Sequence, residues 1–400
     1  MNILSLAPTS FFGDYGCHVR ILEEARALQA LGHRVSIVTY FKGNNVPDVR
    51  VIRTRPTPYH ASYEVGSSRH KYAFDVLLAL KLAQTLASEN FDLIHAHLHE
   101  GALIGGALGR VWRKPVFFDY QGSLTDEMLH HRFLRDNGKR QRFWRWVERR
   151  AEAMPAAIFA STKNAAATLQ KNWPAKPIAH LPDGVNTRAV RPDVITAARR
   201  AELRAQFGIS PDAPVVVYLG LLARHQGIQH ILEAAAIARP INPALRWLVL
   251  GYPGVDEWTM RAQAAGVLGD VVFGGRVPYE NMPEMLALGD IAIAPKLSLT
   301  EGSGKVLNYM AMALPTVAFD TAGQREYLGE DGTYSPLGDS AALAQRILAL
   351  AAQPESGRVL GQRLRSRAVQ NFSWEQSAKV MQGMYEAVIK KDGRQETGDG

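Results

Sequence analysis

Residues 300–315, TEGSGKVLNYMAMALP, follow an apolar run that ends near Pro295. The run predicts a buried strand, and the apolar spacing that begins at Gly304 predicts a helix opening there. Two glycines in this stretch let a backbone approach a ligand closely, and the free amides of a helix N-terminus favour an anion such as pyrophosphate. Lys305 adds a cation within the first turn. The stretch therefore predicts a strand, an anion-binding loop and a helix.

The Gly304-Lys305 pair does not make this stretch the phosphate loop of nucleoside triphosphatases. That motif needs a glycine five residues before the glycine of the pair and Ser or Thr after the lysine. The chain has Leu299 and Val306 at these places. An ordinary helix start with a solvated Glu301 and Lys305 is the alternative interpretation.

Short apolar runs alternate with helical periodicity along nearly the whole chain. This pattern predicts parallel sheets with right-handed crossovers. In the first half the predicted strands are Asn2–Ala7, Arg34–Tyr40, Val49–Arg53, Asp92–Ala96, Pro115–Asp119, Ala157–Ala160 and Ile178–Leu181. In the second half they are Val215–Leu219, Trp247–Leu250, Val271–Phe273, Asp290–Ala294 and Thr316–Phe319.

A turn-rich passage, Leu181–Asn186, separates the two series and predicts a domain junction. We therefore expect one α/β domain over residues 1–185 and a second over 186–373. Ser373 and Gln376 have the spacing of a capping box, which predicts a further helix over 374–389. The polar residues 390–400 are predicted to be disordered.

The composition excludes several classes of protein. The 400 residues are 46% hydrophobic and 21% charged and contain a single cysteine, so a disulfide framework and wholesale disorder are excluded. The longest uncharged run, Val306–Phe319, is shorter than the roughly 20 apolar residues that a membrane helix needs. The N-terminus lacks the basic region of a signal peptide. We expect the protein in the cytoplasm, either free or bound at the inner face of the plasma membrane.

Charge is distributed unevenly. Residues 1–200 carry a net charge of +11 and residues 201–400 one of −3. The stretch Arg132–Arg150 concentrates basic residues around Trp144 and Trp146, which suggests an anionic partner or membrane surface. A solvated helix face is the alternative, and no nucleic-acid partner is expected.

The stretch at 300–315 resembles the signature of family 4 glycosyltransferases, retaining enzymes with the GT-B fold. Weaker matches occur in the family's order at residues 13–19, 94–97, 182–186, 218–220, 274–277 and 372–374. The resemblance covers about residues 1–388. It implies an α/β GT-B architecture: two Rossmann-like doubly wound domains face each other across a cleft, the first on the acceptor side and the second binding the nucleotide sugar, and a C-terminal helix crosses back to the first domain.

The resemblance also implies roles for individual residues. Glu301 would contact the transferred sugar, and Gly13 and Gly16 would lie beneath the donor diphosphate. Arg276 and Val277 would meet the nucleobase. The remaining residues implied at the donor are Gly220, Gly302, Ser303 and Gly304.

Four positions depart from the family's usual residues. Asn308 replaces a glutamate that binds the ribose hydroxyls, and Gln121 replaces a histidine that commonly touches the donor sugar. Leu221 and Gln226 replace an arginine and a lysine on the pyrophosphate. Arg224 and Lys305 are then the cations expected to neutralise the diphosphate.

Three histidines alternate at 95, 97 and 99, so in a strand they would share one face, as metal ligands do. Glu100-Gly101 is expected to end that strand, and the resembled family has no metal there. The chain also lacks an Asp-x-Asp pair for a divalent cation. We therefore expect metal-independent transfer, with His97, His99 and Glu100 lining the cleft.

Together these features predict a retaining hexosyltransferase that moves a sugar from a nucleotide diphosphate donor to a hydroxyl acceptor. The resemblance implies a saccharide or lipid-linked saccharide as acceptor, in glycolipid or polysaccharide assembly. No cofactor is expected beyond the donor substrate. The alternative, motivated by the four departures, is a non-catalytic protein that binds nucleotide sugar or saccharide. A dehydrogenase or epimerase is disfavoured because the first loop lacks Gly-x-Gly-x-x-Gly.

Overall fold

The computed structural model describes residues 1–13, 16–56, 71–130, 138–297 and 303–396. Glu301 and Gly302, both expected at the donor, lie outside the described residues. Internal contacts divide the chain into two units. The first unit is Met1–Pro182 with Trp374–Gly400, and the second is Asp183–Ser373.

The first unit contains a seven-stranded parallel sheet in the order β3-β2-β1-β4-β5-β6-β7. Its strands are β1 (Asn2–Ala7), β2 (Arg34–Thr39), β3 (Arg50–Arg53), β4 (Leu93–His97), β5 (Val116–Tyr120), β6 (Ala157–Ala160) and β7 (Ile178–His180). The central strands are buried along their length, as expected for a parallel sheet covered by helices on both faces.

Helices cover both faces of this sheet. They are α1 (Gly16–Ala30), α2 (Lys71–Ser88), α3 (Leu98–Val111), α4 (Leu124–His130), α5 (Lys139–Ala153) and α6 (Lys163–Asn172). Helix α1 buries Ile21, Leu22, Ala25 and Leu28, the apolar spacing that its sequence shows, in one hydrophobic layer. Helices α2 and α3 contribute to a second layer, and α3, α5 and α6 to a third.

The C-terminal helix belongs to the first unit. Helix α15 (Trp374–Glu396) packs against α1, and its Met381 and Tyr385 are buried with Leu22 and Phe117. The expected return of this helix to the first domain is thus confirmed. The helix continues to Glu396, beyond the predicted end at 389, and residues 397–400 of the tail expected over 390–400 lie outside the described residues. Once the packed turns have formed, extending a helix through polar residues costs little.

The second unit contains a six-stranded parallel sheet in the order β10-β9-β8-β11-β12-β13, the strand order of a Rossmann fold. Its strands are β8 (Val215–Leu219), β9 (Arg246–Leu250), β10 (Val271–Gly275), β11 (Ile291–Ala294), β12 (Thr316–Phe319) and β13 (Thr333–Ser335). Its helices are α7 (Ala197–Gln206), α8 (Ile228–Ala238), α9 (Val255–Ala264), α10 (Met282–Leu286), α11 (Gly304–Ala311), α12 (Ala322–Leu328), α13 (Ser340–Ala352) and α14 (Pro354–Asn371).

The boundary between the units precedes the predicted one by three residues. Val185 pairs with Ser373, and its backbone N–H donates to the carbonyl of Phe372 over 2.8 Å, so residues 183–185 belong to the second unit. Two doubly wound parallel units match the fold class that the sequence predicts. Among the described residues, no helix combines the length and apolar character that crossing a bilayer requires.

Candidate active site

In the second unit, the loops that follow β8, β9 and β10 are tied together at the carboxyl edge of the sheet. The Gly220 N–H donates to the carbonyl of Leu250 over 3.0 Å, and the Gly251 N–H to that of Gly275 over 2.8 Å. A Cβ on Gly251 would lie 1.8 Å from the Gly220 carbonyl oxygen, so only glycine fits there. Ligands of open α/β sheets bind beyond this edge, which makes it the candidate donor site.

Lys305 reaches this edge from the first turn of α11. Its Nζ donates to the hydroxyl of Tyr218 over 2.9 Å and to Oε1 of Gln226 over 2.8 Å. Nζ also lies 4.3 Å from the Tyr218 ring centroid, within cation–π range. A Cβ on Gly220 would lie 2.7 Å from Nζ, so a side chain at 220 would displace the ammonium. The structure thus brings Gly220, Gln226 and Lys305 together.

The Lys305 ammonium has uncharged hydrogen-bond partners in this arrangement. Burial lowers its pKa well below the usual value, and the nearby positive charge of Lys296 adds to the shift. A bound anion would oppose both effects by stabilising the charged form. The amine is therefore placed where a phosphate would change its protonation.

Ser303 precedes α11 and supplies a second polar group. Its Oγ is buried, does not cap the helix and has no hydrogen-bond partner among the described residues. A buried hydroxyl without a partner costs free energy, which a ligand at this helix N-terminus would recover. Gly304 follows, and a Cβ there would lie 3.3 Å from Oδ2 of Asp183. An anion at this point would meet the free amides of α11.

The other two residues expected near the phosphates and ribose are accessible. Arg224 begins a 3-10 turn, is exposed, and forms no ion pair within the described part of the chain. Asn308 lies one turn after Gly304 in α11 and is half-buried. Leu221, at the position of the missing arginine, is exposed and cannot neutralise charge. The Arg224 guanidinium is free to do so.

At the end of β10, Arg276 stacks on an aromatic ring. Its Cζ lies 4.9 Å from the ring centroid of Tyr252, which follows β9. Val277 packs against the core of the second unit. Flat cationic and aromatic groups of this kind are suited to a nucleobase, the ligand expected for Arg276 and Val277.

In the first unit, the loop after β1 is held by a buried histidine. Nδ1 of His18 lies 2.9 Å from the Gly13 backbone nitrogen, and Nε2 lies within hydrogen-bond distance of Thr9 Oγ1, at 2.6 Å. Gly16 opens α1 and is exposed, and no atom of the other described residues lies within 4 Å of where its Cβ would stand. His18 thus fixes the loop that contains Gly13.

Below this loop lies a buried ion pair. Arg20 on α1 donates to Asp119 on β5 through Nε (3.0 Å) and Nη2 (2.7 Å). Burial acts against ionisation of Asp119, but the Arg20 charge outweighs it and lowers the pKa of that carboxyl. Oδ2 of Asp119 also accepts from Nε2 of Gln121 over 2.8 Å. Gln121 is therefore oriented by Asp119, and its carbonyl oxygen is left to accept from another group.

His97 and His99, expected to line the cleft, are not exposed on the first unit. Both are buried: His97 lies between Asp119 (3.1 Å) and Ser5 (3.0 Å), while His99 lies 3.6 Å from Glu148. Strand β4 ends at His97, and Leu98 takes a φ of 59°, so α3 begins before Glu100 and His99 turns to the other face of the sheet. The alternation of the strand does not extend that far.

Glu100, expected beside these histidines, is half-buried and paired. One carboxylate oxygen lies 2.5 Å from Nζ of Lys71. Burial works against its ionisation, but the Lys71 charge prevails and lowers the pKa of Glu100. Its carboxylate is already neutralised within the unit, which argues against its lining a binding surface.

The two histidines of β4 join a cluster that could hold a metal ion. One ligand atom each from Glu24, His95, His97 and Asp119 lie within 4.8 Å of one another, and all four residues are buried. Nε of Arg20 lies 3.0 Å from both Glu24 and Asp119, so one guanidinium already pairs with the two carboxylates of this cluster. Metal independence stays a prediction.

Sequence reasoning missed three groups that shape these sites: Arg20 with Glu24, Tyr218 and Tyr385. Arg20 and Glu24 could have been found, because they are charged residues at i and i+4 within the apolar stripe of α1. The Tyr218 hydroxyl, which accepts from Lys305, sits in an ordinary strand sequence and gave no signal. Tyr385, hydrogen-bonded to Nδ1 of His95, is distant in sequence.

Two family models match the chain in succession. The model described as Glycosyltransferase Family 4 matches residues 16–189, and that described as Glycosyl transferases group 1 matches residues 213–353. Together they account for most of the chain, and each falls within one of the two α/β units apart from a few residues at the junction.

Individual proteins agree with these matches. EpsD of Bacillus subtilis (strain 168), a candidate glycosyltransferase, is 34% identical over 54% of the chain, and the match spans only 55% of that relative. A phosphatidyl-myo-inositol mannosyltransferase of Mycobacterium leprae is 25% identical over 97% of each chain. The crystal structure of HepE from Anabaena in complex with UDP-glucose is 17% identical, with a TM-score of 0.74, and covers 97% of this chain and 100% of its own. At this identity, the likeness to HepE shows only that the two proteins share a fold, the GT-B fold.

Proposed function

The chain belongs to glycosyltransferase family 4, and we propose that it transfers a hexose from a nucleotide diphosphate sugar to a hydroxyl of a saccharide acceptor, with retention of configuration and without a metal ion. One observation carries the proposal. Nζ of Lys305 is held at the carboxyl edge of the second sheet by Tyr218 and Gln226, and the hydroxyl of Ser303, just before the same helix, is buried without a partner among the described residues. A cation, a hydroxyl and a helix N-terminus at one edge suit a diphosphate.

The same observation bears on the lysine that Gln226 replaces, because it shows another positive charge at this place. At this position the family's usual residue is a lysine, and here the ammonium of Lys305 lies 2.8 Å from the Gln226 side chain. The positive charge is thus supplied from α11. This supports turnover over the non-catalytic alternative, as does the fact that the relatives compared above are transferases or candidates for that activity.

In the proposed reaction the bond between the sugar C1 and the leaving phosphate oxygen breaks, while the acceptor oxygen bonds to C1 from the same side. The acceptor hydroxyl proton passes to the departing phosphate. No nucleophile from the protein is needed. The protein contributes position and charge: Lys305, Arg224 and the α11 amides stabilise the negative charge that grows on the diphosphate.

Further residues are proposed from the resemblance. Glu301 would contact the transferred sugar, and Asn308 the ribose, without the charge that a glutamate would bring. Gln121, held by Asp119 through its amide group, would present its carbonyl oxygen to a sugar hydroxyl. Gly13 and Gly16 would leave space for the donor diphosphate.

The donor is proposed to be a uridine diphosphate hexose, since the HepE structure contains UDP-glucose. A lipid-linked saccharide is the proposed acceptor, because the M. leprae relative is named for transfer to phosphatidyl-myo-inositol. The protein would then work in glycolipid or polysaccharide assembly, in the cytoplasm at the inner face of the plasma membrane.

The test combines a donor panel with product analysis. Thermal unfolding in the presence of each donor identifies the one that binds, because a donor at 100 times its Kd stabilises by about 2.7 kcal/mol. The anomeric proton coupling of the product, followed by NMR from the start of the reaction, then separates retention from inversion. Activity that survives a chelator supports metal independence, and activity lost with chelator but restored by a divalent cation contradicts it.

A further inference from the structure

Helix α2 exposes an apolar line. Tyr72, Val76 and Leu80 are 60%, 61% and 63% exposed, and their spacing of four residues places them on one side of the helix. The opposite side, with Phe74, Leu78 and Leu82, is buried in the core of the first unit. The helix is therefore apolar on both sides, and the outer one has no partner within the described residues.

Helix α5 exposes aromatic rings among arginines. Phe143 and Trp146 are 55% and 54% exposed, with ring centroids 6.1 Å apart. The Arg150 guanidinium lies 5.2 Å above the Trp146 ring. Arg142, Arg145 and Arg149 are exposed on the same helix, whereas the apolar neighbours Trp144 and Val147 are half-buried.

Helix α3 packs against both α2 and α5, so the three helices lie side by side on one face of the first sheet. Its own exposed residues include Arg110 and Val111. The apolar line of α2 and the aromatic and basic residues of α5 therefore belong to one surface, which we call the α2–α3–α5 face. Helices α1 and α15 cover the other face of the sheet.

Every acidic side chain of these three helices is engaged with a neighbour. Asp75 accepts from the Tyr40 hydroxyl (2.5 Å), Glu100 pairs with Lys71 (2.5 Å), Glu148 accepts from Thr125 (2.7 Å), and Glu152 accepts from Trp173 (2.9 Å). None of the four acids is exposed, while the exposed charged residues of these helices are all lysine or arginine. The described residues of these three helices thus expose apolar side chains together with positive charge, and an exposed acid, Asp126 of α4, lies beside them, 3.5 Å from Arg145.

We propose that the α2–α3–α5 face is the surface on which the protein docks on an anionic lipid bilayer. The inference rests on the proposed function, because the proposed lipid-linked acceptor would be held in a membrane. Arginines would meet the anionic headgroups, while Trp146, Phe143 and the α2 line would enter the boundary between headgroups and acyl chains. A nucleic acid or a soluble polyanion would use the charge but not the apolar line, and a second copy of this face would meet like charge.

The experiment is sedimentation of the full chain with vesicles of phosphatidylcholine alone or with added phosphatidylglycerol. The wild type should bind only the anionic vesicles, more weakly as salt rises. The triple variant Arg142→Glu, Arg145→Glu, Arg149→Glu should bind at least about tenfold more weakly. The triple variant Tyr72→Ser, Val76→Ser, Leu80→Ser should also bind more weakly but keep the salt dependence.

Matched controls come from the second unit. Ile241→Ser and Arg358→Glu change side chains that are as exposed, and should leave vesicle binding unchanged. Trp146 gives a direct signal: its emission should shift to the blue on anionic vesicles, and the shift should be lost in Trp146→Phe. Circular dichroism and thermal unfolding of each variant verify folding.

Absence of vesicle binding at low salt would overturn the proposal. So would equal losses in the controls, or retention on an immobilised polyanion by a protein that does not bind vesicles. Binding of nucleotide diphosphate by the same preparations separates this failure from failure of the proposed function. A protein that binds the nucleotide but ignores anionic vesicles contradicts only the docking surface.

Discussion

Nζ of Lys305 donates to Oε1 of Gln226 over 2.8 Å, joining the first turn of α11 to the loop that follows β8. An amide oxygen can orient an ammonium but cannot neutralise it. The charge therefore stays available to an anion at this edge of the sheet. In the proposed reaction that anion is the diphosphate of the donor.

Replacing Lys305 with Ala should weaken binding of nucleotide diphosphate by about 1.5–3 kcal/mol, the range for a hydrogen bond to a charged group. Isothermal titration calorimetry with nucleoside and nucleotide diphosphate measures the difference. The nucleoside, lacking phosphates, should bind both proteins alike. Equal affinity of the wild type for the two ligands would contradict the assignment.

A lysine at position 226 should be able to replace the positive charge of Lys305. If Lys305 supplies the charge absent at Gln226, the double variant Lys305→Ala, Gln226→Lys should regain about tenfold of the affinity lost in Lys305→Ala. Gln226→Ala alone should cost less than Lys305→Ala, since it removes only an orienting partner. A double variant no better than Lys305→Ala would mean that the two positions do not serve one site.

Donor binding should be accompanied by proton uptake once the pH exceeds the lowered pKa of the free Lys305 amine. Burial, aided by Lys296, lowers the pKa of Lys305 in the free protein, whereas a diphosphate favours its charged form. Affinity for a nucleotide sugar should therefore fall as pH rises through the pKa of the free amine. Calorimetry in two buffers of different ionisation enthalpy measures the uptake. Lys305→Arg, which stays charged, should show none.

Glu301→Gln should lower kcat by at least about tenfold, equivalent to 1.36 kcal/mol, while the donor still binds. The reason is the contact with the transferred sugar that the family resemblance implies. Single-turnover rates and donor Kd, measured side by side, separate the two effects. Wild-type turnover in this variant would remove Glu301 from the site.

The pair formed by Arg20 and Asp119 should govern the stability of the first unit. Asp119→Asn removes one of the two carboxylates on the buried Arg20 guanidinium and leaves Glu24 as the other, and breaking a buried ion pair costs about 3–5 kcal/mol. Because the pKa of Asp119 is lowered on folding, its contribution is present above the unfolded value of about 4 and fades as pH falls below that.

Urea unfolding at pH 7 and at pH 3 tests this, and the difference between wild type and variant should shrink at the lower pH. Asp126→Asn is the matched control, since its carboxylate is exposed and lies 3.5 Å from Arg145. It should change stability by no more than about 0.5 kcal/mol. Equal effects of the two substitutions would contradict the role given to the buried pair.

The strands could be predicted from the sequence because buried parallel strands are short, almost continuous apolar runs. β1 and β6 end where the runs Asn2–Ala7 and Ala157–Ala160 end. β13 was missed, since three residues at the edge of a sheet carry no such run. The start of α11 at Gly304 was predicted for a similar reason, because glycines before an apolar helical pattern mark a helix N-terminus.

Side-chain placement at the first unit's strand ends could not be predicted. His97 and His99 share a period of two, and only the left-handed backbone of Leu98 shows that they turn to opposite faces. His97 and Gln121 both contact Asp119. Asp119 also binds Arg20, which is 99 positions away in the sequence. Contacts that depend on tertiary packing leave no local pattern.

A protein that transfers a sugar from a nucleotide diphosphate donor must release nucleotide diphosphate. The protein is incubated with the donor that stabilises it, with and without a panel of saccharide and lipid-linked saccharide acceptors, and free nucleotide is measured over time. We expect that nucleotide diphosphate is released only when an acceptor is present, and that its release falls in Lys305→Ala. A donor that binds tightly but releases no nucleotide with any acceptor would contradict it and favour a non-catalytic binding protein.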